Sequence, residues 1–298
     1  MDFLSRMNQA VEYIENHLAD DIDLNDIGSI VCCSFYQFGR IFTYVVGVSL
    51  SEYVRHRRLS QAALELQNGG VKVIDVAVKY GYNSPDAFAR AFQTMHGVTP
   101  KEACTLGVRL RLYPRITFHI SVKGDVSMEY RIQEKGVMHC VGVIENFGKV
   151  KINKNAEHWT EEKPDIWEFW DKFLDEGENI IIRDKYKLYR SPLWQVGVNM
   201  VINGDTIVAI GAEAREGEEY PGLTRFEIPD HTWAVFMCKG TLEQKIHPVT
   251  QTMTRILAEW LPTSGYELIP GIELETYGPG DTQSEDYVCE LWLPVVKK

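Results

Sequence analysis

Arg40 and Arg90 stand in matching frames fifty residues apart. Shifting the chain by that interval lays Ser34-x3-Phe38-x-Arg40-x-Phe42-x4-Gly47-Val48-Ser49 over Ser84-x3-Phe88-x-Arg90-x-Phe92-x4-Gly97-Val98-Thr99. Upstream, Leu24 and Ile27 fall over Ile74 and Ala77. Arginine can pair bidentately with guanine O6/N7 in a major groove, and its repetition at a matched position favours base reading over two merely solvated side chains. A second chemistry lies in Tyr287-Val288-Cys289-Glu290-Leu291-Trp292-Leu293. Strand alternation puts Glu290 beside Trp292, and a carboxylate in apolar surroundings needs a cation. A cationic aromatic ligand would supply that charge, and the indole would add cation–π attraction. An ordinary Glu on a solvent-facing strand is the alternative. Glu275 and Tyr277 alternate similarly on the preceding strand.

The elements that must position the arginines are two helix-turn-helix units. Ser34 and Ser84 are expected N-caps. Gln37 completes a capping box with Ser34, and Pro85 suits a first helical position. Phe38, Phe42 and Val45 are expected on one face, as are Phe88, Phe92 and Met95, and Gly47 and Gly97 end the helices. That leaves Tyr36, Gln37, Gly39 and Arg40 outward on the first reading helix, and Pro85, Asp86, Ala89 and Arg90 on the second. Helix N-termini at Ser34 and Ser84 also suit phosphate contact. Leu50 to Asn68 reads as a connecting helix ended by Gly69-Gly70. Its length of roughly 27 Å approaches the ~34 Å between successive major-groove faces. Arg55, Arg57 and Arg58 on this helix are candidate phosphate contacts, with surface solubility as the alternative. Residues 2–18 are expected to form an amphipathic helix, broken at Asp20-Asp21, with helical spacing resuming at Leu24, Ile27 and Val31.

A chain of 298 residues, 45% hydrophobic and 24% charged, suffices for two globular domains with separate cores. Charge is segregated: residues 31–124 hold twelve Lys/Arg against five acids, and residues 125–298 hold eighteen against thirty. A basic segment beside an acidic one suggests two partners of opposite sign. No secretion signal opens the chain and no apolar run reaches spanning length, so a cytoplasmic protein without a membrane partner is expected. The six cysteines lack CxxC or zinc spacing and read as reduced thiols; neither metal nor cofactor is expected. Histidines 119, 139, 158, 231 and 247 show no nucleophile–base spacing. GxSxG, HExxH and phosphate-loop motifs are absent too, so no catalytic residue is assigned and the chain is not read as an enzyme.

Beyond residue 125 the period shifts towards two. Strands are expected at about 128–133, 138–144, 194–201, 206–214, 223–228, 232–238, 272–277 and 286–293, with helices over 166–174 and 246–261. This is a ββαββ unit occurring twice, and its halves would leave a concave seam between them. Trp194, Trp233 and Tyr277 are candidates for closing a pocket there, with core packing as the alternative.

The run Tyr53-Val54-Arg55-x-Arg57-Arg58-Leu59, then Asp75-Val76-Ala77, Tyr80-Gly81-Tyr82-x-Ser84, Phe88-x-Arg90-x-Phe92 and Gly97-Val98-Thr99-Pro100, closely resembles the AraC/XylS regulators over about residues 8–106. That resemblance implies a seven-helix domain with both recognition helices in adjacent major-groove segments of double-stranded DNA. It also implies polar readers opening the second recognition helix, where this chain has Pro85-Asp86-Ala87. Asp86 would repel phosphate, so the first unit, with Tyr36 and Arg40, is expected to dominate specificity.

Farther on, Gly211-Ala212-Glu213, Ile228-Pro229, Glu259-Trp260-Leu261-Pro262, Glu275-x-Tyr277 and Cys289-Glu290-Leu291-Trp292-Leu293-Pro294 resemble the gyrase-inhibitor-like (GyrI-like) effector-binding domain. This implies an acidic pocket residue that engages cationic or amphipathic compounds, a role expected of Glu290 first and Glu275 second. The chain is thus expected to be multidomain. An all-α double helix-turn-helix domain spans 1–106, a linker 107–124, and an α+β (ββαββ)2 effector-binding domain 125–298. Expected partners are double-stranded DNA and a small-molecule effector such as a lipophilic cation, with RNA polymerase a further candidate; the resemblance favours activation. The alternatives are a GyrI-like domain acting as a hydrolase, with Glu290, Glu275 and Tyr277 in acid–base roles, or as a protein-interaction module.

Overall fold

The computed structural model describes residues 3–105, 107–118, 127–152, 169–170, 172–173, 181–188, 193, 195–244 and 247–298. It is multidomain, with an all-α part followed by an α+β part. Among the described residues the first part holds seven helices: α1 (Phe3–Asn16), α2 (Leu24–Val31), α3 (Phe35–Val46), α4 (Leu50–Asn68), α5 (Val73–Lys79), α6 (Pro85–His96) and α7 (Pro100–Ala103). Local chemistry sets the two reading helices. Ser34 and Ser84 cap α3 and α6 by accepting from Gln37 N–H and Ala87 N–H, and Gly47 and Gly97 close them at φ 82° and 78°. Two details depart from expectation. Val46, not Val45, packs against the core, and Val45 is exposed. Gln37 does not reach back to complete a capping box, because its amide donates to Glu275 instead.

The described residues of the second part build a nine-stranded antiparallel sheet. Its strands are β2 (Tyr130–Lys135), β3 (Met138–Gly148), β5 (Val196–Ile202), β6 (Asp205–Glu213), β7 (Thr224–Ile228), β8 (His231–Lys239), β9 (Tyr266–Leu268), β10 (Ile272–Tyr277) and β11 (Val288–Lys297). Eight of them run in the order β2-β8-β11-β10-β5-β6-β3-β7, and β9 adds to β11. The duplication is visible in that order. Strands β2, β3, β5 and β6 form one half, and β7, β8, β10 and β11 the other. Each half sends its first strand across to the other, so β2 pairs with β8 and β7 with β3. The halves meet at β10–β5, in the middle of the sheet. Helix α8 (Pro248–Arg255), continued by a wider π-type turn through Trp260, covers the second half. The helix expected over 166–174 lies largely outside the described residues, of which 169–170 and 172–173 are helical.

Apolar packing does not follow the order of elements along the chain. One core joins Met7 and Ile14 of α1 and Ile27, Phe38 and Phe42 of the first helix-turn-helix unit to Phe236, Met253, Leu257 and Leu291 behind the sheet. The second unit keeps its own core around Leu59, Leu66, Phe88 and Phe92. Polar contacts tie the first unit down further. The two-residue strand β1 (Ile22–Asp23) pairs with β4 (Lys151–Ile152), and the Asn25 amide donates to the Gly204 carbonyl at 2.6 Å. Residues 107–118, without helix or strand, run back along the first helices: Tyr113 stacks on His56 at 4.0 Å, and Phe118 N–H donates to Asn8 at 2.9 Å. Among the described residues no helix is long and apolar enough to cross a membrane.

Arg58, expected to contact phosphate, is instead fully buried, where its guanidinium donates to the Leu18 and Asp20 carbonyls at 2.7 Å each. Burial pulls its pKa down to about 10. Arg57 is likewise turned inward, onto the Glu15 carboxylate at 2.7 and 2.8 Å. Arg58→Ala should therefore lower unfolding free energy by about 2–4 kcal/mol, through stranded carbonyls and lost packing. Urea denaturation checks this; an unchanged midpoint would mean that those carbonyls find other donors.

Candidate functional site

Strand β10 carries the chemistry of the seam. Its alternation turns Leu274 towards Trp233 and Trp292 on one face of the sheet, and Glu273, Glu275 and Tyr277 to the other. Across the seam, Glu273 pairs with Asn199 and Glu275 with Gly197 of β5. Gly197 leaves room for an aromatic: a Cβ there would stand 2.4 Å from the Trp170 ring. Trp170 meets Tyr277 edge-on at 5.7 Å, and His247, which caps α8, approaches the same tyrosine at 6.4 Å. The Tyr277 hydroxyl donates to Glu275. The result is a buried acid pair walled by an indole, a phenol and an imidazole.

What stands before these acids is the first reading helix. The Ser34 hydroxyl donates to Glu273 at 2.6 Å, and the Gln37 amide to Glu275 at 2.8 Å. The Arg40 guanidinium lies 3.8 Å from Glu275. Asn199 adds a longer bond to Glu273 at 3.3 Å, while the second Glu273 oxygen is buried without a hydrogen-bond partner among the described residues. Burial drives Glu273 up to about 8, with Ser34 opposing and the Glu275 charge reinforcing the rise. His247 is held down at about 3 by burial and by neighbouring Arg40. Burial and then the Glu275 charge push the Tyr277 phenol well up.

Glu290 is placed differently. It pairs with Thr276 across β10–β11, so it lies on the face opposite Glu275. Arg131 of β2 grips it with two bonds, at 2.6 and 2.9 Å, and sits over the Trp292 ring at 5.5 Å. Trp292 also donates to it from the indole nitrogen at 2.9 Å. The cation that this acid and indole call for is thus in the chain. Trp233 is fully buried in the core on that same face, and Trp194 lies outside the described residues.

The expected DNA readers divide in the same way. Ser34, Gln37 and Arg40 converge on the seam, with Gln37 fully buried. Tyr36 is in α3, but its side chain lies outside what is described. Arg55 is half-buried, 3.7 Å from Glu52. Ser84 caps α6, whose Asp86 and Arg90 are exposed. The sequence reading did not single out Glu273, Trp170 or His247. The signal for the first was available in Glu273-x-Glu275-x-Tyr277, three polar residues on one strand face.

Residues 27–104 match the model of a helix-turn-helix domain, and residues 195–296 that of a GyrI-like small molecule binding domain. The chain is 35% identical over 96 residues to the HTH-type transcriptional activator AarP of Providencia stuartii, covering 32% of this chain and 71% of that protein. It is 35% identical over 100 residues to the uncharacterized HTH-type transcriptional regulator YbfP of Bacillus subtilis, covering 34% of each. The structure of SAV2435 bound to tetraphenylphosphonium aligns with 57% of this chain and 94% of that one, at 19% identity and a TM-score of 0.45. The chain belongs to the AraC-type helix-turn-helix transcription regulators, and it joins that DNA-binding region to a GyrI-like small-molecule binding domain.

Proposed function

We propose that this regulator is an activator that reads two adjacent major-groove segments through α3 and α6, and that its effector is a lipophilic cation held at the β10–β5 seam. Glu275 is the anionic anchor, Trp170 and Tyr277 are the walls, and Glu273 is the reserve acid. The observation that carries the reading is the buried pair itself. Two carboxylates on one strand face are costly to bury unless cations or donors meet them, and their companions are aromatic, as cation–π recognition requires. Activation would run through RNA polymerase at the bound promoter. Arg90 and Arg40 are the proposed base readers, Ser84 and Arg55 the proposed phosphate contacts, and Asp86 is expected to weaken reading by α6.

Selection from a random duplex pool should recover one asymmetric site. Arg40→Ala and Arg90→Ala should each cost about 1–3 kcal/mol there and relax the sequence requirement at one position. No enrichment by folded protein at low salt would sink the DNA part of the reading.

Calorimetric titration with tetraphenylphosphonium separates the two acids. Glu275→Gln should weaken binding tenfold or more, about 1.4 kcal/mol, and Glu290→Gln should leave it near wild type, because Arg131 already neutralises that carboxylate. The reverse ranking would move the ligand to the opposite face of the sheet.

The seam also makes stability depend on pH. Glu273 rises from 4.5 to about 8 on burial, so its proton favours the folded state and its contribution fades as pH climbs through that window. His247 falls from 6.5 to about 3, so charging it opposes folding as pH drops through its window. The two trends cancel between 4.5 and 6.5 and leave a net loss from 6.5 to 8. Melting temperature should decline over that upper range, and Glu273→Gln should flatten the decline; a wild-type profile flat from 6.5 to 8 would refute this assignment.

A further inference from the structure

Three groups meet the seam acids from α3: the hydroxyl of a helix N-cap, an amide about one turn further on, and a guanidinium. These are the groups with which a reading helix meets a duplex. An N-terminal hydroxyl and the helix dipole suit a phosphate, and Gln and Arg suit base edges and backbone oxygens. Here Ser34 donates to Glu273, Gln37 donates to Glu275, and Arg40 lies in ion-pair range of Glu275. At the equivalent positions of the second unit, Ser84 caps α6 as Ser34 caps α3, but Ala87 stands in the place of Gln37 and Arg90 is exposed. Two acid side chains on alternate residues of one extended strand, with the charge at Glu275, offer a row of carboxyl oxygens to those donors, as a phosphate backbone does.

We propose that the Glu273–Glu275 strand is an internal mimic of DNA that holds the first reading helix away from the duplex, and that a cation seated at Glu275 displaces Arg40 and frees it. This deepens the reading of the seam as the effector site and rests on it. Effector and DNA then favour the same undocked arrangement. The gain that cation gives to DNA binding must equal the gain that DNA gives to cation binding. Undocking also exposes apolar surface shared between α3 and α8, which both contribute to one core. The docked arrangement therefore dominates until the cation's differential affinity outweighs that loss. In the docked protein the second unit is left to hold DNA alone.

Fluorescence anisotropy with a labelled duplex recovered by selection tests this, using full-length protein and tetraphenylphosphonium. The cation should raise wild-type affinity for the duplex tenfold or more. Glu275→Gln should bind duplex that tightly without the cation and ignore its addition. Glu275→Ala should show a similar gain, so the test survives if one variant fails to fold, as judged by its melting curve. Arg40→Ala should bind tetraphenylphosphonium more tightly than wild type, because the internal competitor is gone. Equal cation affinity in wild type and Arg40→Ala, or a duplex affinity that the cation leaves unchanged or lowers, would overturn the mimic and leave the effector site standing. Failure of the cation to bind either protein would instead remove the effector site, and the mimic with it.

Discussion

Two carboxylates in the middle of a sheet, Glu273 and Glu275, are the constraint around which the rest of the molecule is arranged. Both are buried, and among the described residues the sheet itself meets them with Asn199 and Tyr277. The remaining donors come from outside the sheet. The first helix-turn-helix unit brings them by packing its core into that of the effector-binding domain, with β1–β4 and Asn25 fixing its edge. Buried charge of this kind contributes little net stability but fixes one arrangement strongly, since breaking a single partner leaves an uncompensated ion.

How much of this could be read from the sequence follows from how local each determinant is. The repeat at fifty residues was legible because caps, phenylalanine stripes and terminal glycines act within one or two turns; Leu50–Asn68 and the ends of α3 and α6 fall where the chain's own chemistry puts them. The eight main strands were legible from their alternation. The ranking of the acids was not. Glu290 looked like the orphan because the residue that satisfies it, Arg131, stands 159 positions away in sequence and arrives only through the strand exchange that sets β2 against β8. Glu275 looked secondary because its partner Gln37 is 238 positions away.

The same limit explains the arginines of α4. As sequence, Arg55, Arg57 and Arg58 are three equivalent cations. In the fold, Arg55 stays partly exposed, while Arg57 and Arg58 become struts that satisfy Glu15 and the carbonyls of the turn after α1. Composition counts them as basic surface, yet two of the three offer no charge to a polyanion. The excess positive charge of that segment is smaller in effect than in formula.

The exchange of first strands between the two halves has a consequence of its own. A duplicated sheet brings like strands face to face at its centre, so any feature placed there in both copies would meet its own image. Here the copies have diverged where they touch: β10 presents Glu273 and Glu275, and β5 answers with Asn199 and Gly197. One repeat has kept the frame while the other has taken on the polarity. A cradle with two-fold shape and one-sided charge holds an asymmetric guest in a single orientation, and it gives the protein a front and a back that its architecture alone would not.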